Sequence, residues 1–202
     1  QHYVKILKQG NFLSYFGNSF IIAMSTTVIS IVLGSLAAYG LAIMKSNWGN
    51  RISTFLLFSK LVPTITIMIP LYIILDKVHL LGTYVGPILA HVSVNAPFVA
   101  WLVLGFIRDI PGDLFEAGKL DGCTRMQVFW KIVFPLLSPA IGSALLLVMQ
   151  YSWNELLFSM QYTNLHTYTL TVGVSRFVGA ISVDWGQSSA AATIVMVPII
   201  IA

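Results

Sequence analysis

Apolar positions run through this chain in long, nearly unbroken stretches, and the polar ones gather between them. A helix needs about 20 residues to cross roughly 30 Å of hydrocarbon. Four complete runs of that length stand out: Phe16–Met44, Thr54–Leu75, Tyr84–Ile107 and Ser138–Phe158. A fifth starts near Ser188 and continues to Ala202. Each predicts a helix, because an unpaired backbone group in lipid costs several kcal/mol and a helix satisfies its own. The short, strictly alternating segments of a membrane β-barrel are absent. The pattern predicts an all-α, polytopic transmembrane helix bundle, with residues 1–202 forming a single transmembrane domain.

Small and imino residues punctuate the runs. Pro63 and Pro70 fall in the second, Pro87 and Pro97 in the third. Each removes an N–H and disturbs the turn before it. Two roles fit: a tolerated membrane-helix kink, or a bend that opens a cavity at mid-membrane. In the first run, Gly34-Ser35-Leu36-Ala37-Ala38-Tyr39-Gly40 is dense in small residues, which let helices approach closely.

One polar stretch differs from the rest. Residues 108–135 contain Glu116, Lys119, Asp121, Arg125 and Lys131 within a short distance. Ile110-Pro111-Gly112-Asp113 ends the third run, and Asp113 with Glu116 reads as a capping-box start. A helix Asp113–Leu120 follows, and Gly122 stops it, since glycine takes the left-handed conformation at little cost. Thr124 with Gln127 reads as a second cap, opening a helix from Met126 to about Phe134, before Pro135 and Pro139. The prediction is a helix, a glycine hinge and a second helix. An ordered connection this long fits a docking surface; a solvated loop is the alternative.

Composition changes the picture in one respect: it makes lipid the solvent. The chain is 57% hydrophobic and 9% charged, with mean hydropathy +0.84. A soluble domain carries about 25% charged residues. The net charge of +4 comes without any Lys/Arg run that could track phosphates, so nucleic acid is excluded as a partner. Six of the eleven basic residues (Lys45, Arg51, Arg108, Lys119, Arg125 and Lys131) fall on one side of the predicted spans. Lys5, Lys8, Lys77 and Arg176 fall on the other. The positive-inside rule therefore puts residues 108–135 in the cytoplasm. Residues 1–15 are then outside and lack the apolar stretch of a signal peptide. An upstream span is expected, giving about six spans in the full protein, four complete and one partial here. Cys123 is the only cysteine, so no intrachain disulfide forms; it reads as a small filler in a helix turn.

Glu116-Ala117-Gly118, then Gly122, then Ile132, Phe134 and Pro135 resemble the EAA signature of ABC-importer permeases. That pattern is E-A-A, three residues, G, nine residues, I, one residue, L-P, and every spacing matches. Gly118 replaces the second alanine and Phe134 the leucine. Asn18-Ser19, Ala37-Ala38-Tyr39, Ile69-Pro70-Leu71-Tyr72, Gly105-Phe106, Asp121-Gly122 and Trp153-Asn154-Glu155 are similar to the carbohydrate-uptake branch, the permeases for maltose and glycerol phosphate. The resemblance covers essentially the whole chain; Lys60 is less expected for the family.

The resemblance implies the membrane subunit of an ATP-driven, binding-protein-dependent sugar importer in a bacterial or archaeal inner membrane, working by alternating access. Glu116, Ala117, Gly118, Asp121, Gly122, Ile132 and Pro135 would couple it to separate ATPase subunits, which bind the ATP and Mg. A sister permease and an extracytoplasmic solute-binding protein are the other implied partners. This chain would be no enzyme and hold no cofactor. Its nearest approach to a P-loop, Gly112 to Gly118-Lys119, has five intervening residues where four are needed, and Leu120 replaces the Ser/Thr. Two rivals stand beside this reading: an ion-coupled secondary transporter using Glu155 or Lys60, and a scaffold without transport.

Polar groups inside spans are site candidates, because a charge at mid-helix costs about 2.5–3.5 kcal/mol on insertion scales. Asn95, Trp153, Asn154 and Glu155 are candidates for the substrate pathway. Asn154 and Glu155 fit either a wall that hydrogen-bonds sugar hydroxyls or a buried polar pair that fixes helix packing. Lys60 fits snorkelling or pairing with an acid. His91 and Asn95 share a helix face, but too few ligands stand near for a metal site. The region Gln161–Gln187, with Tyr162, Tyr168, Phe177 and Trp185, fits an interface belt or a docking surface for a binding protein.

Overall fold

The computed structural model describes residues 11–44, 48–176 and 185–201, and every regular element among them is helical. In chain order these are α1 (Phe12–Ala42), α2 (Trp48–Ser59), α3 (Thr64–Lys77), α4 (Val85–Arg108), α5 (Gly112–Leu120), α6 (Arg125–Val128), a π-helical turn (Phe129–Val133), α7 (Phe134–Leu136), α8 (Ser138–Asn154), α9 (Leu157–Tyr162), α10 (Leu170–Ser175) and α11 (Trp185–Ile201). Among the described residues, α1 and α4 are each long and apolar enough to cross a membrane. Two broken pairs, α2 with α3 and α6–α7 with α8, bring the crossings to four if each pair is one span.

The helices are dressed for lipid. Along α1 most exposed positions are large and apolar, among them Leu13, Phe20, Ile21, Val28 and Leu33. The buried ones are mostly small or polar: Asn18, Ser19, Ala23, Thr26, Ser30, Ser35 and Ala38. In water this arrangement would expose a costly apolar surface. In hydrocarbon it is favourable, because small residues bring helices together and large apolar ones meet acyl chains. Ile65, Ile69, Ile73 and Ile74 of α3 repeat the outward pattern.

The chain forms two compact units. One comprises residues 1–26, 64–91 and 149–202; the other, residues 27–63 and 92–148. The core of the second joins Ile31, Ala38 and Tyr39 of α1 to Val99, Val103, Leu104 and Ile107 of α4. Val128, Phe129 and Val133 of the polar segment complete it, with Leu137 just beyond that segment and Ala144 and Val148 of α8. Gly34 sets the approach of α1 to α4: a Cβ there would lie 2.6 Å from Val99 Cβ and 3.0 Å from the Ala100 backbone nitrogen. The core of the first unit joins Phe12, Ala23, Trp153, Leu170, Ala190 and Ala191.

Two predicted spans are corrected. The second is not one helix: residues 60–63 separate α2 from α3. Lys60, Leu61 and Val62 each donate to a carbonyl three residues back, tightening the helix before Pro63 ends it. The fourth ends at Asn154 rather than Phe158, and α9 starts after a two-residue break. The apolar sequence Leu156-Leu157-Phe158 concealed that break. Lys5, Lys8, Lys45 and Phe177, and the Trp185 side chain, lie outside the described residues.

Candidate functional site

The polar segment is an elbow built on two glycines and two prolines. Helix α5 starts at Gly112 with Pro111 as N-cap and no side-chain cap, so the capping box expected of Asp113 and Glu116 does not form. Proline supplies the entry φ of −55° instead. The helix ends at Gly122, whose φ is +76°. Gly122 N–H donates to Lys119 O and Cys123 N–H to Gly118 O, both at 3.0 Å. These are the two bonds of a Schellman stop, which satisfy otherwise orphaned carbonyls.

The second arm opens with the predicted cap. Gln127 N–H donates to Thr124 Oγ1 at 3.3 Å and Thr124 N–H to Gln127 Oε1 at 2.8 Å. This arm is not a simple α-helix, however. Phe134 N–H donates to Phe129 O, five residues back, in the π-helical turn. Pro135 explains the shift, since it has no N–H for Lys131 O and its ring crowds that carbonyl. After Leu137 the axis bends by 77° into α8.

The arms pack where Gly118 allows it. A Cβ at Gly118 would lie 2.8 Å from Ile132 Cδ1 and 3.0 Å from Val128 Cγ2. Gly118, Val128, Phe129 and Val133 are buried, whereas Glu116, Ala117, Asp121, Gly122 and Pro135 are exposed. Apolar side chains share the outer surface: Leu114, Met126, Trp130 and, at 89% exposure, Leu120. The elbow therefore has a seated back and a front that mixes charge with unburied hydrocarbon.

Tyr39, not among the predicted site residues, ties the elbow to α1. Its hydroxyl donates to Arg125 O at 2.9 Å. Its ring stacks on Phe115 (6.4 Å, 14°) and lies 5.2 Å from Phe129. Both arms thus touch one side chain of a span. Arg108 Nη2 donates to Asn50 Oδ1 at 2.6 Å, joining the ends of α4 and α2. A hollow of about 440 Å³ lies among Tyr39, Arg108, Phe115, Glu116, Lys119 and Arg125.

The polar residues of the spans fall into separate places. In the first unit Glu155 is 9% exposed and accepts from the backbone N–H of Phe158 and Ser159 at 3.0 and 3.1 Å. It thereby serves the unpaired first-turn donors of α9. His91 Nε2 lies 3.2 Å from Glu155 Oε2, and its Nδ1 lies 2.6 Å from Ser152 Oγ. Trp153 is 2% exposed, with its indole N–H on Val195 O at 3.1 Å. Asn154 is exposed and donates back to Gln150 O. In the second unit Lys60 does not simply snorkel: its Nζ donates to Asn95 Oδ1 at 3.3 Å. No group of three His, Cys, Asp or Glu among the described residues stands close enough to hold a metal.

In the region following Glu155, Phe158, Tyr162 and Leu170 are buried, while Leu157, Met160 and Leu165 are exposed. Tyr162 is fully buried and donates to Met68 O at 2.6 Å. Asn18 Nδ2 donates to His166 O and Tyr168 O, and Asn18 Oδ1 accepts from Tyr84 Oη. These bonds tie residues 162, 166 and 168 to Met68 and Asn18.

Comparison with known proteins places this architecture. The family model for the inner membrane component of binding-protein-dependent transport systems matches residues 30–202. The sulfoquinovosyl glycerol transport system permease protein SmoH of Agrobacterium fabrum is 31% identical over 91% of this chain and 65% of its own length. The trehalose transport system permease protein SugB of Mycobacterium tuberculosis is 32% identical over 99% of this chain and 74% of its own. The trehalose/maltose permease protein MalG of Thermococcus litoralis is 31% identical over 100% and 74%. The chain thus spans about two thirds to three quarters of the length of these relatives. Among solved structures, a bacterial ABC transporter for the acidic polysaccharide alginate has a similar fold, with TM-score 0.76 and 19% identity over 99% of this chain and 75% of that one. The MetNI methionine ABC transporter gives 0.68 and 18% over 98% and 91%. The chain belongs to the family of inner-membrane components of binding-protein-dependent ABC transport systems.

Proposed function

We propose that this chain is the membrane subunit of an ATP-driven importer for sugars or related solutes. The observation that carries the reading is the two-faced elbow. Its back is fixed to α1 through Tyr39 and to the second-unit core through Val128 and Phe129. Its front presents Glu116, Ala117, Asp121 and Gly122 beside exposed Leu114 and Leu120. A surface of mixed charge and unburied hydrocarbon is suited to seating in another protein. Force applied there reaches the spans through packed side chains.

In this reading ATP and Mg are bound by separate ATPase subunits, and this chain performs no covalent chemistry. Closure of those subunits moves the elbow, and the spans alternate between inward and outward access. A sister permease completes the pathway, and an extracytoplasmic binding protein delivers solute. The relatives' names support the sugar class, through trehalose, maltose and sulfoquinovosyl glycerol. The alginate importer is also known in complex with an alginate-loaded periplasmic protein. These solutes include neutral and acidic saccharides, so the family leaves the charge of the sugar open.

The test uses the transporter expressed with its partner subunits. Gly122→Leu and Glu116→Lys should insert normally, fail to copurify with the ATPase in mild detergent, and lower uptake at least about tenfold. Normal uptake in both variants would refute the reading. Uptake by the wild type that continues without ATP would favour ion-coupled transport instead.

A further inference from the structure

The elbow and the ends of two spans border the hollow of about 440 Å³. Small-molecule sites have volumes of roughly 300–1,000 Å³. Gly112, Phe115, Glu116 and Lys119 supply one face of α5, as their three-to-four spacing requires. Ala42 and Ile43 at the end of α1, and Ile107 and Ile110 around the end of α4, supply apolar walls. Ala117 and Asp121, on the elbow's front, do not line it.

Charge is sorted around this space. Residues 108–125 contain three cations and four acids. All three cations, Arg108, Lys119 and Arg125, line the hollow; of the acids, only Glu116 does. Three cations against one carboxylate leave a net charge of +2. Among the described residues no ion pair joins any of the three to a carboxylate, and the Arg108 hydrogen bond goes to the neutral Asn50. Gly112 opens α5 without a side-chain cap, so the positive end of that helix borders the same space.

The level of the hollow identifies the anion. Helix α4 has the length and hydropathy of a span and ends at Arg108. Met44 and Phe106, each next in sequence to a lining residue, are exposed and apolar. The hollow therefore sits where lipid-facing surface gives way to the polar elbow, on the side that the basic residues assign to the cytoplasm. Basic pockets between helices at that level take anionic lipid headgroups. Guanidinium and ammonium groups both suit phosphate oxygens. A free anion would use the cations but not the apolar walls.

We infer that this hollow binds the headgroup of an anionic phospholipid, its phosphate held by Arg108, Lys119 and Arg125 and its acyl chains left in the bilayer. The bound lipid joins the elbow to the ends of α1 and α4. This contact is with the membrane and does not depend on which solute is moved.

The test uses the complete transporter, with its partner subunits, in vesicles of equal parts phosphatidylcholine and phosphatidylglycerol. Trace phosphatidylglycerol or phosphatidylcholine carrying a photoreactive group near the glycerol is added, and crosslinked peptides of this chain are mapped. The phosphatidylglycerol probe should label peptides containing residues 39–43, 107–119 or 125–128 at least about fivefold more than the phosphatidylcholine probe. Lys119→Gln with Arg125→Gln should bring the two probes to within about twofold. Lys131→Gln, outside the hollow, should keep the wild-type preference. Equal labelling by both probes in the wild type, labelling only elsewhere, or an undiminished preference in the double variant overturns the inference. So does loss of the signal to excess inorganic phosphate, which marks a free-anion site. Labelling of the isolated chain but not of the assembly also overturns it, because the ATPase then fills the space. Each of these results leaves the importer reading, which uptake measures, standing. The wild-type map decides even if the double variant fails to assemble.

Discussion

Gly118 and Gly122 are glycines for different reasons, and substitution separates them. At Gly122 a Cβ meets nothing within 4 Å, so the constraint is its φ of +76°. Alanine there costs roughly 1–2 kcal/mol of left-handed strain without touching a neighbour. At Gly118 the backbone is ordinary and the space is short. Alanine would push on the flexible end of Ile132, and an overpacked methyl costs about 1 kcal/mol. Gly118→Leu would force the arms apart. Thermal melts in detergent should rank Gly118→Leu well below Gly118→Ala; equal melts would refute the packing account. Tyr39→Phe removes one hydrogen bond, worth about 1 kcal/mol, and should lower coupling with little loss of stability. Gly122 was legible in the sequence because a helix stop is a local signal. Tyr39 was not, because its partner Arg125 is 86 positions away and no local pattern joins them.

At the scale of elements, apolar periodicity located the spans but not their interruptions. Val85–Arg108 differs by one residue at each end from its predicted range. The fourth span was overextended because Leu156, Leu157 and Phe158 are as apolar as what precedes them. The break there is made by a side chain: Glu155 takes the N–H groups of Phe158 and Ser159 and is held in turn by His91. Glu155→Leu would strand those donors and the imidazole, destabilising the fold by on the order of 3 kcal/mol. Glu155→Gln keeps an acceptor oxygen and should lose about half as much. Unfolding curves for the two variants measure this, and equal losses would remove the capping role. The π-helical turn had a visible cause in Pro135, but the ladder shift it produces depends on how Phe129 and Phe134 pack in the core.

For the whole molecule, the arrangement of small and polar residues inward and large apolar residues outward makes lipid the surrounding medium. Composition alone had already required that. Membership of the transport family and the similarity of fold agree with the family resemblance read from the sequence and with its helical, membrane-spanning architecture. The sequence could not show that the elbow's back is a continuation of the core. That fact follows from Val128, Phe129 and Val133 packing with residues of α1, α4 and α8, contacts that no local spacing encodes.

The central claim is that the elbow's front is seated in an ATPase subunit. The direct measurement is thiol labelling of Ala117→Cys in a Cys123→Ala background, since Cys123 is the only native thiol. Labelling is compared between the isolated chain and the complete, transporting assembly. Ala117 is exposed in the chain alone. The account predicts fast labelling of the isolated chain and at least about tenfold slower labelling in the assembly. Equal rates in an assembly that still imports solute would contradict it.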